Sequence, residues 1–423
     1  MSILKRGSKS IRTGRPATIV LLLVLAAVGV LPASAQTPFA LSNIGQRTHT
    51  DDARMVARGG WGMAVSDSLN PGFKNLASLS SLRHLVLKFT AYGDRMENQD
   101  ANGHRFNTRV FAPDVRVAGP VIKNRLALSA GLVVHRTTQY NTLTEKDWGV
   151  VWGDTVSGNE QFHRIGNRFR VPVGAALKIF SGLSVSGSVN IEAGSLKATV
   201  TEFFTKPSGS SGPAYQTNVK ETYDEFHGTS QTIGILLEPF SWFQAGASWT
   251  PAHKLEADRK VTQFGVSLRS LSSYTMVMPD EYRAGAQLRP IGRWRLGADA
   301  FFQPFSEFTG PEEWMADMED EYGLSAGLER MKGYKRRGGM GNLPIRLGVS
   351  YKRWAYGVGG IDDKAASIEE KTVSIGTGFP FRQNLGELDV AVSYGVIGEL
   401  EKNGLESEIW RLTISVTGLE RWW

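Results

Sequence analysis

One stretch of the chain matches a catalytic motif. Gly-Leu-Ser-Ala-Gly at residues 323–327 has the Gly-x-Ser-x-Gly pattern of a hydrolase nucleophile elbow. Such an elbow needs a buried strand before the serine, because the strained turn that follows this strand exposes the hydroxyl group. An acidic stretch, residues 312–321, precedes the motif instead. We therefore predict that the protein is not an enzyme and has no catalytic residues.

The sequence offers no recognisable metal or cofactor site. The seven His residues are scattered, without a His-Glu-x-x-His motif or an i,i+4 pair that would bring two imidazoles to one ion. The chain has no Cys, which removes thiolate ligands and disulfide bonds. We predict no metal ion and no cofactor, and a stability that comes from packing and backbone pairing.

A basic stretch follows the acidic one. Arg330 and Lys332 precede Lys-Arg-Arg at residues 335–337. Charge runs of this kind usually form solvated segments, and we expect one partly helical outer loop over residues 310–339. Its charges would suit bridging cations or the phosphates of lipopolysaccharide.

The first 35 residues have the parts of a secretory signal peptide. An apolar run over residues 17–31 follows a basic region that contains Lys5, Arg6, Lys9, Arg12 and Arg15. The run is shorter than the roughly 20 residues of a membrane-spanning helix, and it leads into an Ala-x-Ala cleavage pattern at residues 33–35. We predict export, removal of residues 1–35 and a mature chain that begins at Gln36.

The formal charge of +7 does not describe the exported chain. Five of the 48 Lys and Arg residues, and none of the 41 Asp and Glu residues, lie in the leader. The remainder is close to neutral and has no global basic field, so we predict no nucleic-acid partner.

Alternation with period two is the main structural signal after residue 82. Apolar residues alternate with small or polar ones, as in Leu126, Leu128, Ala130, Leu132 and Val134. The complementary faces of such segments carry the charged residues Arg283, Arg295, Asp299, Arg346 and Asp389. Charges on that face would make a poor protein core but suit a hydrated lumen. The pattern favours an all-β transmembrane antiparallel barrel over a soluble sandwich or propeller.

The alternation predicts fourteen strands, an even number of the kind that bacterial outer-membrane barrels use. They are expected at about 83–95, 108–122, 125–142, 162–180, 182–203, 222–238, 241–254, 271–289, 293–308, 340–352, 354–362, 369–381, 386–399 and 407–422. Short connections alternate with longer polar ones, and we assign the short ones to the periplasmic side. The domain boundaries are then a signal peptide at 1–35, a lead-in at 36–82 and a barrel at 83–423.

The last segment has the features of a closing strand. Its apolar face and aromatic end resemble the signal that the barrel-assembly machinery reads, which makes that machinery a partner during biogenesis. The residues concerned are Trp410, Leu412, Ile414, Val416, Trp422 and Trp423.

Three stretches resemble the FadL family of outer-membrane transporters for long-chain fatty acids and hydrocarbons. Residues 58–67 (Arg-Gly-Gly-Trp-Gly-Met-Ala-Val-Ser-Asp) resemble the glycine-rich entry to that family's N-terminal hatch, and Asn75, Ala77 and Leu79 match the Asn-Pro-Ala-Gly-Leu that follows it. Residues 278–299 resemble the family's Leu-Pro hairpin, whose second strand carries an Asp, here Asp299. Residues 376–381 and the chain end form the third stretch.

The resemblance implies a monomeric barrel in the bacterial outer membrane. Its lumen would be closed by a hatch over residues 36–82, with Gly59, Gly60, Gly62 and Asn75 in the hatch turn. A kinked strand would let hydrophobic compounds diffuse passively into the membrane through the side of the barrel. Partners would be outer-membrane lipid, lipopolysaccharide and a hydrophobic small molecule.

Five residues are candidates for ligand contact under this interpretation. Phe39 and Leu41 would touch an apolar ligand from the hatch, and Arg283 and Arg295 would hold a carboxylate if the ligand is a fatty acid. The alternative for each Arg is a structural ion pair with Asp299 or another lumenal acid. Two other functions stay open: a general solute porin, and a structural or secretion-accessory barrel of the same superfamily.

Overall fold

The computed structural model describes residue 39 and residues 42–101, 103–151, 154–205, 216–264, 266–290, 292–315, 318–333, 342–358, 365–381 and 385–420. The predicted signal peptide (1–35), Leu41, Trp422 and Trp423 lie outside these residues. Within the described part of the chain, no helix is long and apolar enough to span a membrane.

The strands follow one another around a single antiparallel sheet. In chain order they are β1 Gln46–Arg47, β2 Leu85–Asp100, β3 Gly103–Ile122, β4 Leu126–Val151, β5 Asp154–Phe180, β6 Leu183–Thr205, β7 Asn218–Phe240, β8 Phe243–Thr250, β9 His253–Gln263, β10 Val266–Met278, β11 Glu281–Leu288, β12 Trp294–Gln303, β13 Glu321–Arg330, β14 Ile345–Gly357, β15 Ser367–Phe381, β16 Gly386–Glu399 and β17 Leu405–Glu420. The helices are short: α1 Ala53–Val56, α2 Glu312–Met315, α3 Leu400–Asn403, and 3-10 turns at Leu76–Ser81 and Phe305–Glu307.

The described sheet closes into a fourteen-stranded barrel, as predicted. β17 pairs with β2 from Leu405 opposite Asp100 to Glu420 opposite Leu85, which joins the two ends of the sheet. β8 and β9 form one barrel strand that is interrupted at Pro251, and β10 and β11 form the next, interrupted at Pro279. Proline has no N–H for the ladder, so both interruptions have the same local cause.

Two errors in the predicted strands cancel in the count. The segment predicted at 354–362 is not a separate strand, because β14 runs without a break to Gly357. β13, by contrast, lies in the region predicted to be an outer loop at 310–339. Its alternation of Leu324 and Leu328 with Gly323, Ser325 and Gly327 is weak, and charged runs flank it on both sides.

The two ends of the barrel differ. The short-turn end contains the connections between β3 and β4, β5 and β6, β7 and β8, β11 and β12, β13 and β14, and β15 and β16. The long-strand end is the opposite one. Because β13 crosses the wall, the acidic α2 region lies at the long-strand end and Arg330 and Lys332 at the short-turn end. The single charged outer loop predicted for cations or lipopolysaccharide is therefore wrong.

Several strands continue beyond the length that a membrane requires. β4 has 26 residues and β5 has 27, whereas β12 and β13 have 10 each. A barrel strand crosses the bilayer in about 9–11 residues. The polar stretches predicted as loops at 143–161 and 255–270 are thus largely hairpin strands that extend past the barrel at the long-strand end.

The alternation assigns the faces of the wall as predicted. Leu128, Leu347 and Val392 are exposed on the outer face. Asp299, Arg346 and Asp389 are buried on the inner face, and Arg283 and Arg295 are half-buried there. The outer face is thus apolar and the inner face polar, which is the reverse of a soluble protein and is what lipid contact requires.

Part of the wall between β3 and β4 is unpaired. Their pairing runs from Asp114 opposite Val133 to Ile122 opposite Leu126. From that level towards the long-strand end, β3 pairs with β2 and β4 pairs with β5, and no described pair joins β3 to β4. A bulge at Pro113 and another at His135 bend the two strands apart. β1 pairs with the exposed edge of β4 at Arg136 and Thr137.

Candidate functional site

Residues 42–82, here called the N-terminal segment, contact the inner face of the barrel wall. Asp52 caps α1 by accepting a hydrogen bond from the Met55 N–H at 2.8 Å. After α1 the chain reverses at Gly59 and Gly60, whose φ angles of +78° and +97° suit glycine. Gly59 and Gly60, two of the glycines named from the sequence, lie in this reversal, and Asn75 caps the 3-10 turn further along the chain.

Glycines on neighbouring strands let this turn lie directly on the wall. A Cβ atom on Gly348 would overlap the backbone of Arg58 and Gly59, and one on Gly297 would overlap the Trp61 ring. The whole row, here called the glycine groove, consists of Gly246, Gly285, Gly297, Gly327, Gly348 and Gly376 on β8, β11, β12, β13, β14 and β15. No side chain fits between the segment and these strands.

Asp299 holds the turn by its backbone. Its carboxylate accepts hydrogen bonds from the Gly62 N–H at 2.8 Å and the Met63 N–H at 3.1 Å. It also pairs with the Lys74 ammonium at 3.2 Å. Asn75 adds two donations from its side-chain amide, to the carbonyl oxygens of Met63 and Ile235. Asp299 was predicted as a partner for Arg283 or Arg295, and it binds the N-terminal segment instead.

Glu329 is the centre of the densest charge cluster. It is fully buried and accepts from Arg54 at 3.0 Å, Arg58 at 3.1 Å and Arg346 at 2.9 Å. Arg346 continues the network to Asp389 at 2.6 Å. Buried charges of this kind are stable only when each is paired, so the cluster couples the segment to three strands, β13, β14 and β16.

A second cluster binds the segment nearer the long-strand end. Glu321 pairs with Arg47 at 3.0 Å and with Arg136 at 2.7 Å, and Glu281 also pairs with Arg47, at 2.8 Å. Sequence reasoning missed Glu321 and Glu329 because both lie at the ends of β13, the strand it did not detect.

Burial affects the pKa of one group in each of two further ion pairs. Asp52 is 2.6 Å from the Lys88 ammonium. Burial opposes its ionisation, but Lys88 and the Met55 N–H outweigh burial and lower the pKa of Asp52. His49 is 3.3 Å from Glu370. Burial and then the nearby Arg411 guanidinium lower the pKa of His49, against the opposing effect of Glu370.

Two polar cavities lie beside the N-terminal segment. One of about 150 Å³ is bounded by residues that include His49, Ser325, Glu370 and Arg411. The other, of about 110 Å³, is bounded by His135, Arg170 and Asn190 among others. Both also contact Thr50, Asp51, Lys74 and Arg283. Among the described residues, no group of His, Asp or Glu side chains is arranged to hold a metal ion.

A packed apolar region, here called the outer apolar cluster, fills the lumen towards the long-strand end. It includes Phe39, Ile44, Met96, Leu196, Phe226, Met276, Met278, Phe305, Trp314, Trp354, Tyr356 and Ile397. Phe39 is fully buried, its ring 6.3 Å from that of Trp354. A smaller cluster around Phe73, Leu79 and Leu82 lies at the short-turn end.

Arg168 is a buried charged residue that adjoins the outer apolar cluster. It is 8% exposed and donates a hydrogen bond to the Ile44 carbonyl at 2.6 Å. Its guanidinium also lies 5.9 Å from the Phe226 ring and 3.8 Å from the Met278 sulfur. Among the described residues it forms no ion pair with a carboxylate. The only sequence signal for it is an Arg at an inward position of a long strand.

The predicted ligand residues are not brought together. Phe39 lies in the outer apolar cluster, whereas Arg283 pairs with Glu281 at 2.7 Å and lines both polar cavities. Arg295 lies at the short-turn end, in the second position of β12. Ser325 of the Gly-x-Ser-x-Gly match is in the middle of β13, without the strand-to-helix turn of a nucleophile elbow.

The last strand has the faces predicted for it. Trp410, Leu412 and Ile414 are exposed on the outer wall and Val416 is half-buried. The residues between them, Thr413 and Ser415, face the lumen and are buried.

A family model named BamG matches residues 15–423, which is nearly the whole sequence. The chain belongs to the BamG family. No curated protein matches the sequence.

Several solved structures are similar to this BamG-family chain. A FadL homologue from Pseudomonas aeruginosa is 13% identical with a TM-score of 0.57, over 88% of this chain and 99% of that one. The toluene transporter TodX from Pseudomonas putida is 14% identical with a TM-score of 0.57, over 90% and 100%. The toluene transporter TbuX from Ralstonia pickettii is 14% identical with a TM-score of 0.54, over 89% and 99%.

At these identities the likeness establishes the fold. The FadL-type barrel fold predicted from the sequence is confirmed, while the sequence itself places the chain in the BamG family.

Proposed function

We propose that this BamG-family barrel is an outer-membrane channel that takes up long-chain fatty acids. The observation that carries the proposal is the unpaired wall between β3 and β4 beside the outer apolar cluster. Met96 of that cluster is opposite Asn107 in the unpaired part of β3. Ile44 is two residues before Gln46, which pairs with Thr137 in the unpaired part of β4.

An apolar molecule gains from a side exit at this level. A water-filled pore would forgo burial of about 0.8 kcal/mol per methylene, which a path from the outer apolar cluster to lipid retains. In this proposal the N-terminal segment is a plug, residues 1–35 are removed on export, and the barrel is a monomer surrounded by outer-membrane lipid and lipopolysaccharide. The N-terminal segment, held on the wall by the glycine groove and by Glu329, occupies part of the lumen that a general porin would leave open.

The chemistry beside the apolar cluster favours a carboxylate over a neutral hydrocarbon. Arg168 is buried without a carboxylate partner among the described residues, and a guanidinium can bind a carboxylate through two parallel hydrogen bonds. Arg168 therefore replaces Arg283 and Arg295 as our candidate for the head group. Phe39 keeps its predicted role in contact with the ligand's apolar chain.

Binding of a fluorescent fatty acid to protein in lipid nanodiscs tests this proposal. We expect Phe39→Ala to weaken binding by about 1.5–3 kcal/mol through lost burial. Arg168→Gln should weaken the binding of a fatty acid but not the binding of the matching alkane. Arg283→Gln serves as the control because Arg283 is paired with Glu281. Equal loss in both Arg variants would contradict the role of Arg168. Free permeation of a small sugar would favour the porin instead.

A second candidate function is an accessory barrel of the outer-membrane assembly machinery. The name of the family favours it, and so does the network that binds the N-terminal segment around Glu329, since a fixed interior suits a structural barrel. Co-purification of the tagged chain with the assembly machinery, together with loss of other barrels on its depletion, would support this function. Fatty-acid binding that disappears in Arg168→Gln would favour the channel.

A further inference from the structure

The connection between β11 and β12 places three arginines at the short-turn end. Arg289 and Arg295 share the inward parity of Gln287 and Asp299, which are buried in the lumen, and Arg293 is exposed in the turn between them. The outward positions beside them hold Trp294, which is exposed towards lipid. The guanidinium groups of Arg289 and Arg295 and the lipid-facing aromatic ring are therefore on opposite faces of the wall.

These three arginines have no acidic partner among the described residues. Arg289 donates to the Gln244 side chain at 3.0 Å, and its Nε atom is buried without an acceptor. The Nη1 atom of Arg295 is likewise buried without an acceptor. An arginine whose hydrogen-bonding groups are buried and unfilled is costly, and an incoming anion would satisfy them.

The nearest carboxylates are already engaged. Glu329, opposite Arg295 in the register of β12 and β13, is bound by Arg54, Arg58 and Arg346. Asp67 is paired with Arg54 at 2.9 Å. Among the described residues, neither carboxylate forms an ion pair with Arg289, Arg293 or Arg295.

The rest of the short-turn end is also basic. Its acids Glu238 and Glu387 pair with Lys178 and Arg346, which leaves Glu420 as the exposed acid in the described turns. The cations of this end outside the β11–β12 connection are Arg83, Lys123, Arg125, Lys178, Arg330 and Lys332.

We propose that the mouth formed by Arg289, Arg293 and Arg295 binds an acidic segment of a partner protein. Lipid phosphate is a poorer fit, because Arg289 and Arg295 have lumenal parity while Trp242 and Trp294 mark the lipid side. Carboxylates spaced along an extended peptide can enter the mouth and bind the guanidinium groups bidentately. This site is independent of the fatty-acid path at the opposite end.

A labelled peptide of ten glutamates tests the proposal, with the corresponding glutamine peptide as its control. The full chain would be held in nanodiscs of zwitterionic phosphatidylcholine, and binding followed by fluorescence anisotropy. We expect the wild type to bind the acidic peptide. The triple variant R289Q/R293Q/R295Q should bind it about tenfold more weakly or worse, because charge-assisted contacts are lost. Faster migration of unheated protein on gels would establish that each variant is folded.

The matched control is R83Q/K123Q/R125Q, which removes the same charge from other turns of the same end. It should keep its affinity within about twofold, because a local site depends little on distant screened charges. Equal loss in both triple variants would show diffuse attraction and overturn the proposal, as would failure of the wild type to bind. The first triple variant could instead retain peptide binding but no longer bind anionic phosphatidylglycerol in mixed nanodiscs. Lipid would then be the ligand and the proposal would be wrong.

Discussion

Glu329 shows how single residues attach the N-terminal segment to the wall. Three guanidinium groups bind its buried carboxylate, two from the segment and one from β14. We expect Glu329→Gln to destabilise the protein by about 3–5 kcal/mol, because three buried cations lose their shared counter-ion. Urea unfolding from lipid vesicles would measure the change. Glu420→Gln is the control, since Glu420 is exposed, and an equal effect in both variants would contradict our interpretation.

The glycine groove makes a second residue-level prediction. A methyl group on Gly348 would overlap the backbone of Arg58 and Gly59, so Gly348→Ala must displace the segment or the strand. We expect a loss of about 1–3 kcal/mol, as in other overpacked sites. Gly187→Ala, where a Cβ atom meets nothing nearby, should behave like the wild type. Thermal unfolding of both variants would separate steric overlap from the loss of glycine itself.

His49 predicts how acid affects the segment. Burial and Arg411 lower its pKa, although Glu370 opposes them, and Lys352 and the ring of Tyr92 also face it. The unfolded chain therefore takes up a proton near pH 6.5 that the folded protein excludes. The stabilisation from neutral His49 is complete above that pH and is lost as the pH falls from there to the lowered pKa.

The free energy of unfolding, measured between pH 8 and pH 5, tests whether stability falls on acidification. This is about the range in which histidine titrates. We expect His49→Gln to reduce the loss of stability on acidification. His227→Gln is the control, because the His227 side chain is 53% exposed. A steeper pH dependence in His49→Gln than in the wild type would contradict the assignment.

At the scale of the strand, the parity of the wall decides which substitutions are tolerated. Leu128 faces lipid at 53% exposure, whereas its neighbour Ser129 has the opposite parity. Arg at Leu128 should destabilise folding into vesicles by about 2–4 kcal/mol, since no water reaches it, while Arg at Ser129 should be tolerated better. Equal costs at the two positions would mean that the register of β4 is wrong.

The strands were predictable where lipid imposes alternation. β16 was predicted with its observed bounds, because one of its faces is apolar and the other polar throughout. The distal part of β4, from Leu143, was predicted as a loop, because both faces of an extended hairpin outside the membrane are polar. β13 was not predicted, for another reason. Small residues occupy its lumenal face and admit the N-terminal segment, which weakens the contrast between its two faces.

The site was less predictable than the wall. Inward parity identified Arg283, Arg295, Asp299, Arg346 and Asp389 as lumenal. It does not give the partner of a lumenal charge, because partners such as Glu329 and Arg54 are 275 residues apart in sequence. Arg168 was missed because its isolation from carboxylates is a property of the folded lumen.

For the whole molecule, we predict an exported, strand-rich barrel. Amino-terminal sequencing of protein from the outer membrane should begin at Gln36, because the Ala-x-Ala pattern ends at residue 35. The unheated protein should migrate faster on gels than the heated one, because a closed barrel keeps its compact form. A mature chain beginning at Met1, or a far-ultraviolet spectrum dominated by helix, would contradict this prediction.

The fit between the N-terminal segment and the glycine groove has a consequence for the order of assembly. Strands β8 to β15 form the groove, and the ring closes only when β17 pairs with β2. The segment is synthesised before all of them, and its backbone lies directly against Gly246, Gly327 and Gly348. We therefore infer that the segment is in place before closure, so that the later strands add around it. The first residues of the mature chain would then act as the internal template on which the barrel is built.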